Sequence, residues 1–184
     1  MSGHGHIDAS DKRLAVMIAV LAAFLAVAET GAKSAQTQVL TDHVEATNMW
    51  TFFQAKTMRQ TLVRTAAEEM EARYADTGVI PPAAKAQIDK WKETAQRYET
   101  EPSTNEGRRE LMARAKDYEA KREKARAAYH NFEYGSAAFQ LAIVLASAAA
   151  VTSVMLLAFV AGGLGIAGAI LTGTGFLAPT LLHL

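Results

Sequence analysis

Tyr134–Leu184 reads YGSAAFQLAIVLASAAAVTSVMLLAFVAGGLGIAGAILTGTGFLAPTLLHL, 51 residues without one Asp, Glu, Lys or Arg. A helix rising 1.5 Å per residue crosses a hydrocarbon core of roughly 30 Å in about 20 residues, so this stretch holds two crossings and a tight turn. One crossing cannot absorb it. Two places for the turn stay open. Gly162–Gly163 is the obvious breaker, whereas a turn at Thr152–Ser153 makes shorter helices and leaves an apolar tail after Gly173. Neither crossing carries a central charged residue of the kind that pumps and proton relays use, which disfavours active transport by this chain alone.

Working back towards the N-terminus, Leu14–Ala28 is again free of those four residue types. As a helix it is only about 22 Å long, but Lys12 and Arg13 can snorkel at one end while Glu29 and Thr30 sit in the interface at the other. The same residues resemble a cleavable signal peptide, with Lys12–Arg13, an apolar run and Ala26-Val27-Ala28 ahead of Glu29. We read the segment as a retained anchor. The predicted organisation is a polar leader at 1–12, a first transmembrane helix at 13–34, an extramembrane helical domain at 35–133, and a C-terminal transmembrane hairpin with apolar tail at 134–184.

Over the whole 184 residues, 19 basic residues cancel 19 acidic ones, and 17 of each lie between Glu29 and Glu133. Without a positive surplus, nucleic acid is not an expected partner. The absence of cysteine excludes disulfides, thiolate chemistry and Cys-type metal sites. Four prolines and almost no β-branched runs in the polar part leave little for a sheet, so the fold class is an all-α membrane protein.

The polar part reads as a long antiparallel, coiled-coil-like helical hairpin between the first and second membrane helices. From Gln36 to Ala75 there is no Gly or Pro, and Ala46, Phe53, Gln60, Ala67 and Tyr74 recur every seven residues. Met49, Lys56, Val63 and Met70 interleave three later, giving a seam with two polar interruptions. Because only Gly31 separates this seam from the first span, the two are expected to form one helix of roughly 60 residues. Asp76–Pro82 ends it, with Gly78 suited to a left-handed cap. A tip helix at about 83–99 follows, its stripe formed by Ala84, Ile88, Trp91, Ala95 and Tyr98. After a second break at 100–107, a last helix starts near Arg108 and carries Leu111, Ala115, Tyr118, Arg122, Ala125, Tyr129, Phe132, Ser136 and Phe139 towards the membrane.

The loop of roughly 105 residues between the spans exceeds the length over which flanking positive charge sets topology, so the leading Lys12–Arg13 dominates. The N-terminus is therefore expected in the cytoplasm and the helical domain outside it. The basic run Arg114–Arg126 argues the opposite way.

Signals of chemistry are sparse. His4, His6, His43, His130 and His183 show no four-residue pairing with a carboxylate of the kind that makes a zinc site on one helix face. Removal of Met1 would expose Ser2-Gly3-His4, a weak square-planar Cu(II) or Ni(II) set; the plainer reading is a polar leader without metal or cofactor. No phosphate-cradling loop or nucleophile elbow occurs, and no enzyme is expected, since nothing in the sequence brings Trp50, Gln54, Lys56 and His130 together. The spans instead carry small residues four apart, Ala138, Ala142, Ala146 and Ala150 in one and Ala161, Gly165, Ala169 and Gly173 in the other. Such stripes let helices approach closely in lipid, within one chain or between copies.

Ala46–Lys56, reading ATNMWTFFQAK, and Ala138–Ser147, reading AFQLAIVLAS, are similar to the corresponding stretches of the DUF4337 family, uncharacterised bacterial membrane proteins. With the order of span, charged helices and terminal hairpin, the likeness covers nearly the whole chain. The resemblance implies a multi-pass protein of the bacterial inner membrane. It favours the turn at Thr152–Ser153, and makes Gly173–Leu184 an extra tail. It also singles out Trp50, Phe53, Gln54 and Lys56, read as a polar lock in which Gln54 and Lys56 find partners on the returning helix, ahead of the alternative of a site near the membrane-proximal stalk. The family supplies no activity. The expected function is a non-enzymatic, homo-oligomeric membrane scaffold or accessory subunit of a larger membrane complex, acting through its helical stalk. The alternative is an oligomeric pore or transporter accessory.

Overall fold

The computed structural model describes residues 9–181, which form four helices: α1 (Ala9–Arg73), α2 (Pro82–Glu99), α3 (Arg108–Thr152) and α4 (Met155–Leu177). No strand occurs among the described residues. Three helices, α1, α3 and α4, contain stretches long and apolar enough to cross a membrane. The leader ahead of residue 9, His4 included, lies outside the described residues.

The breaks follow backbone chemistry. Past the end of α1, Gly78 takes a left-handed φ of +64° and its N–H bonds the Tyr74 carbonyl at 3.1 Å. Pro82 opens α2, where its missing N–H costs nothing. Ser153, at φ +55°, makes the turn between α3 and α4. The turn therefore falls at Thr152–Ser153, and Gly162–Gly163 lies inside α4. So does Gly173: α4 runs on to Leu177, and the tail expected from Gly173 is helical for five of its residues. A helical glycine costs only about 1 kcal/mol relative to alanine and is not by itself a stop signal.

Internal packing divides the chain into two units, and α1 and α3 contribute to both. The polar unit is Thr41–Lys121. Within it every residue of the α1 seam is buried or half-buried, and Ile88 and Ala95 of α2 and Leu111 and Ala115 of α3 are buried. The two long helices run antiparallel here, since Trp50 bonds Glu119 while Thr57, further along α1, bonds Arg108, earlier in α3.

The apolar unit joins the described residues up to Leu40 with those from Arg122. Its core is Leu21 and Ala28 of α1, Phe139, Ala142 and Ala146 of α3, and Ala161 of α4. At the α3–α4 crossing the backbones touch. A Cβ added to Gly135 would stand 2.5 Å from Thr172 Oγ1 and 3.1 Å from the Gly168 carbonyl, and one on Gly168 would press the Phe139 ring at 3.0 Å. The Phe132 ring fills the space left by two glycines, Gly31 on α1 and Gly175 on α4; a Cβ on either would meet it within 3.0 Å. Nearby, Asn131 Nδ2 donates to the Pro179 carbonyl at 3.0 Å, tying the end of α4 back to α3.

The small-residue stripe of α4 takes a different line from the expected one. Ala161 and Gly165 are buried, but the next buried positions are Gly168, Thr172 and Gly175, and Ala169 is exposed. Strict four-residue steps advance 40° each round a helix of 3.6 residues per turn, whereas alternating four and three stay on one face. On α3, Ala142, Ala146 and Ala149 are buried and Ala138 and Ala150 flank them half-covered. Outside these contacts the apolar helices are bare: their most apolar windows are only 22%, 33% and 17% buried.

Candidate functional site

Two places gather chemistry-bearing side chains. In the polar unit, Gln60 stands in the middle of the α1 seam and is buried, a position that obliges it to find partners. Its Nε2 donates to the Ala95 carbonyl and to Glu99 Oε2, both at 3.0 Å, at the end of α2. Arg108, the first residue of α3, completes the arrangement: Nη1 donates to Gln60 Oε1 and to Glu99 Oε2 at 2.6 Å each, and Nε to Thr57 Oγ1 at 2.9 Å. Its guanidinium lies over the Phe53 ring, 5.0 Å from the centroid. Arg109 Nε adds a bond to Glu99 Oε1 at 3.3 Å. The Gln60 amide, the Arg108 charge and the Arg109 bond together hold the Glu99 carboxyl below its ordinary value, against the opposing effect of burial.

Beside this network Lys56 is buried, with Glu106 at 3.7 Å, Glu101 at 3.8 Å, and the Phe52 and Tyr98 rings each 5.4 Å from its Nζ. The loop that supplies those carboxylates is closed by Glu110, which accepts from Thr100 Oγ1 at 2.7 Å and from the Glu101 N–H at 3.3 Å. The Thr100 hydroxyl is the main reason the Glu110 carboxyl also lies below its usual range. No side chain fits at Gly107, where a Cβ would run into Glu110 and the Thr100–Glu101 backbone.

The sequence-derived lock is therefore partly reassigned. Trp50 reaches α3, its Nε1 donating to Glu119 Oε1 at 2.9 Å, and packs edge-on against Phe53. The carboxylates near Lys56 come from the loop after α2 rather than from the returning helix. Gln54 is exposed. Successive helical residues point 100° apart, so with Phe53 facing inward Gln54 turns away, and Gln60 takes the role expected of it. His130 belongs to the other unit. Glu99 and Arg108 escaped sequence reading. The signal that called for such partners was the pair of polar interruptions in the seam.

The second place is a cleft of about 370 Å³ in the apolar unit, between Glu29, Lys33 and Gln36 of α1 and Tyr129, Glu133 and Ser136 of α3. Tyr129 Oη donates to Glu133 Oε1 at 3.3 Å, and His130 Nδ1 lies 3.6 Å from Glu133 Oε2. The Glu133 charge is the main cause that pushes the Tyr129 phenol up. Gln140 Nε2 donates to Glu29 Oε1 at 3.4 Å. Among the described residues Lys33 makes no ion pair, although Glu29 precedes it by one turn. No group of three or more His, Asp or Glu side chains able to hold a metal occurs among the described residues.

A family model described as a domain of unknown function (DUF4337) matches residues 10–178. Neither the curated proteins nor the solved structures compared with the chain include a match.

Proposed function

We propose, starting from a chain that belongs to the DUF4337 family along nearly its whole length, that it is a multi-pass membrane protein acting without catalysis, as a homo-oligomeric scaffold for a larger membrane complex. The observation that carries the oligomer is a second seven-residue repeat on α1. Val44, Thr51 and Met58, with Asn48, Ala55 and Leu62, lie on the side away from the buried seam, two positions or roughly 200° from Ala46 and its equivalents. Val44, Met58 and Leu62 are 55%, 74% and 72% exposed. Its exposed apolar members Val44, Met58 and Leu62, interleaved with Asn48, Thr51 and Ala55, gain stability when a second helix covers them. A second copy of α1 presents the same repeat.

The bare apolar windows of α1, α3 and α4 support a bilayer as their surroundings. The uncharged turn at Thr152–Ser153 puts no charge across the membrane. The leading Lys12–Arg13 favours a cytoplasmic N-terminus and an outward polar unit, and the family likeness supports the bacterial inner membrane as the location. The polar unit directs its half-buried Arg108 and Glu99 at one another, which commits them to joining helices rather than to a reacting centre.

The chain has no cysteine, so single replacements can test the reading in native membranes. Met58→Cys and Leu62→Cys are expected to form disulfide-linked dimers on mild oxidation, and to react with a membrane-impermeant maleimide from outside the cell. Native mass spectrometry of gently extracted protein should give a defined copy number together with any co-purifying protein. Monomers alone, with no cross-link at either position, would sink the scaffold reading.

A further inference from the structure

The cleft between Glu29 and Glu133 marks a level in the apolar unit. Glu29 closes the uncharged run Leu14–Ala28, and Glu133 is the last fixed charge before the uncharged run Tyr134–Leu184. α1 and α3 thus leave their charge-free stretches at the same opening, with Lys33 one turn beyond Glu29 and Tyr129 one turn before Glu133. On the membrane reading proposed above, on which this inference rests, that is the depth of the phospholipid headgroups.

The charges there are unbalanced. Glu29 accepts only a long bond from Gln140, and Glu133 one from the Tyr129 hydroxyl beside the more distant His130. Lys33 has no carboxylate within ion-pair distance, though Glu followed by Lys four residues later is the favourable order for a helical pair. Two carboxylates short of donors and one ammonium short of an acceptor thus line one cleft of about 370 Å³, within the size range of small-molecule sites. A ligand that meets both needs carries an ammonium with N–H donors and a phosphate joined by a short link.

We infer that this cleft binds the phosphoethanolamine headgroup of a phospholipid, its ammonium between Glu29 and Glu133 and its phosphate at Lys33 and the Gln36 amide. The chemistry separates this headgroup from its neighbours. Phosphatidylcholine has the same charges, but its trimethylated nitrogen has no hydrogen to give a carboxylate. Phosphatidylglycerol offers the phosphate alone to a cleft with one more negative than positive side chain. Charge-assisted bonds are the strong ones, and both ends of the phosphoethanolamine group make them.

The test uses the full chain, reconstituted in bilayer discs holding equal parts of phosphatidylethanolamine, phosphatidylcholine and phosphatidylglycerol, then released for native mass spectrometry. Phosphatidylethanolamine should be retained about tenfold over either competitor, a factor set by one such bond. Glu29→Gln with Glu133→Gln should bring phosphatidylethanolamine and phosphatidylcholine to parity, and Lys33→Gln, which removes the partner of the phosphate common to all three, should lower the retention of each, while circular dichroism stays unchanged. Equal retention by the native chain, a preference over phosphatidylcholine that survives the loss of both carboxylates, or unchanged lipid retention in Lys33→Gln would overturn the site. Displacement of the bound lipid by free phosphoethanolamine, but not by free phosphocholine, at concentrations comparable to the lipid would overturn the lipid assignment in favour of a soluble ligand. Extraction of native membranes with alkali separates this from the underlying reading. A chain that stays with the membrane yet shows no lipid preference loses only the cleft, whereas one released to the aqueous phase loses both.

Discussion

Arg108 Nη1 donates to Gln60 Oε1 at 2.6 Å, across 48 positions of sequence, and the same nitrogen holds Glu99. One guanidinium thus joins the start of α3, the middle of α1 and the end of α2. Arg108→Met leaves the Gln60 carbonyl and a Glu99 oxygen short of a donor, and is expected to destabilise the chain by about 1–3 kcal/mol. Gln60→Ala should cost a similar amount. In a double-mutant cycle the two losses should fall short of additivity, since each removes the same bond. Gln54→Ala, on the exposed face, should stay within about 0.5 kcal/mol of the native chain. Denaturant midpoints in detergent, followed by circular dichroism, check all four; an effect at Gln54 as large as at Gln60 would return the lock to its sequence-derived position.

Glu99 ties the network to pH. Its folded-state value lies below the ordinary 4.5, so its contribution to stability is fully present above about that pH and is lost as pH falls through the folded value. Glu110 acts with the same sign, through the Thr100 hydroxyl. Stability should therefore hold steady on approaching pH 4.5 from above and decline below it. Glu99→Gln should flatten that acid limb. An acid limb unchanged in the variant would show that Glu99 is not held by these contacts.

The glycines of α4 divide into two classes that substitution can separate. A Cβ on Gly162 meets nothing within 4 Å, whereas one on Gly168 meets Phe139 at 3.0 Å and the Gly135 carbonyl at 3.1 Å. Gly162→Ala should be neutral or stabilising by up to about 1 kcal/mol, the helix propensity gain. Gly168→Leu should cost about 1–3 kcal/mol by forcing α3 and α4 apart. Thermal unfolding of the purified variants, compared side by side, checks both; a Gly168→Leu variant as stable as the native chain would mean that α3 and α4 do not meet closely at this crossing.

Thr172 carries a buried hydroxyl with no hydrogen-bond partner, packed against Gly135. Thr172→Val replaces it with a methyl group of similar size, removing an unsatisfied polar atom at little steric cost. The expected gain is about 1 kcal/mol. A loss of stability of that size would mean that the hydroxyl has a partner after all.

The helix boundaries were legible because their causes are local. Gly78 and the prolines at 81–82 act within a turn of themselves, and the seven-residue spacing of Ala46, Phe53, Gln60, Ala67 and Tyr74 reports one face of one helix. The turn at Ser153 was not legible from the residues alone. Serine is no breaker, and no residue type at this position announces the left-handed φ of +55° that it takes. The polar network was half legible: Gln60 and Lys56 stood out as polar residues in an apolar seam. Periodicity names a face and not a partner, so Arg108 and Glu99, which lie at helix ends without a repeat to belong to, could not be matched to them. The same limit explains Ala169, since a stripe counted in fours and a stripe counted in alternating fours and threes look alike until a neighbouring helix decides between them.

Phe132, seated between Gly31 and Gly175, has one more consequence. From that ring to the turn, α3 measures about 30 Å, and from the turn to Gly175, α4 measures about the same. The two legs are equal, and the ring acts as the catch that keeps them so. In a bilayer thicker or thinner than this gauge, α4 cannot slide along α3 to compensate, because any axial step would drive the ring into a residue with a side chain. On the membrane reading proposed above, the pair would adapt only by leaning as a body or by deforming the lipid around it, and would carry its own preferred membrane thickness.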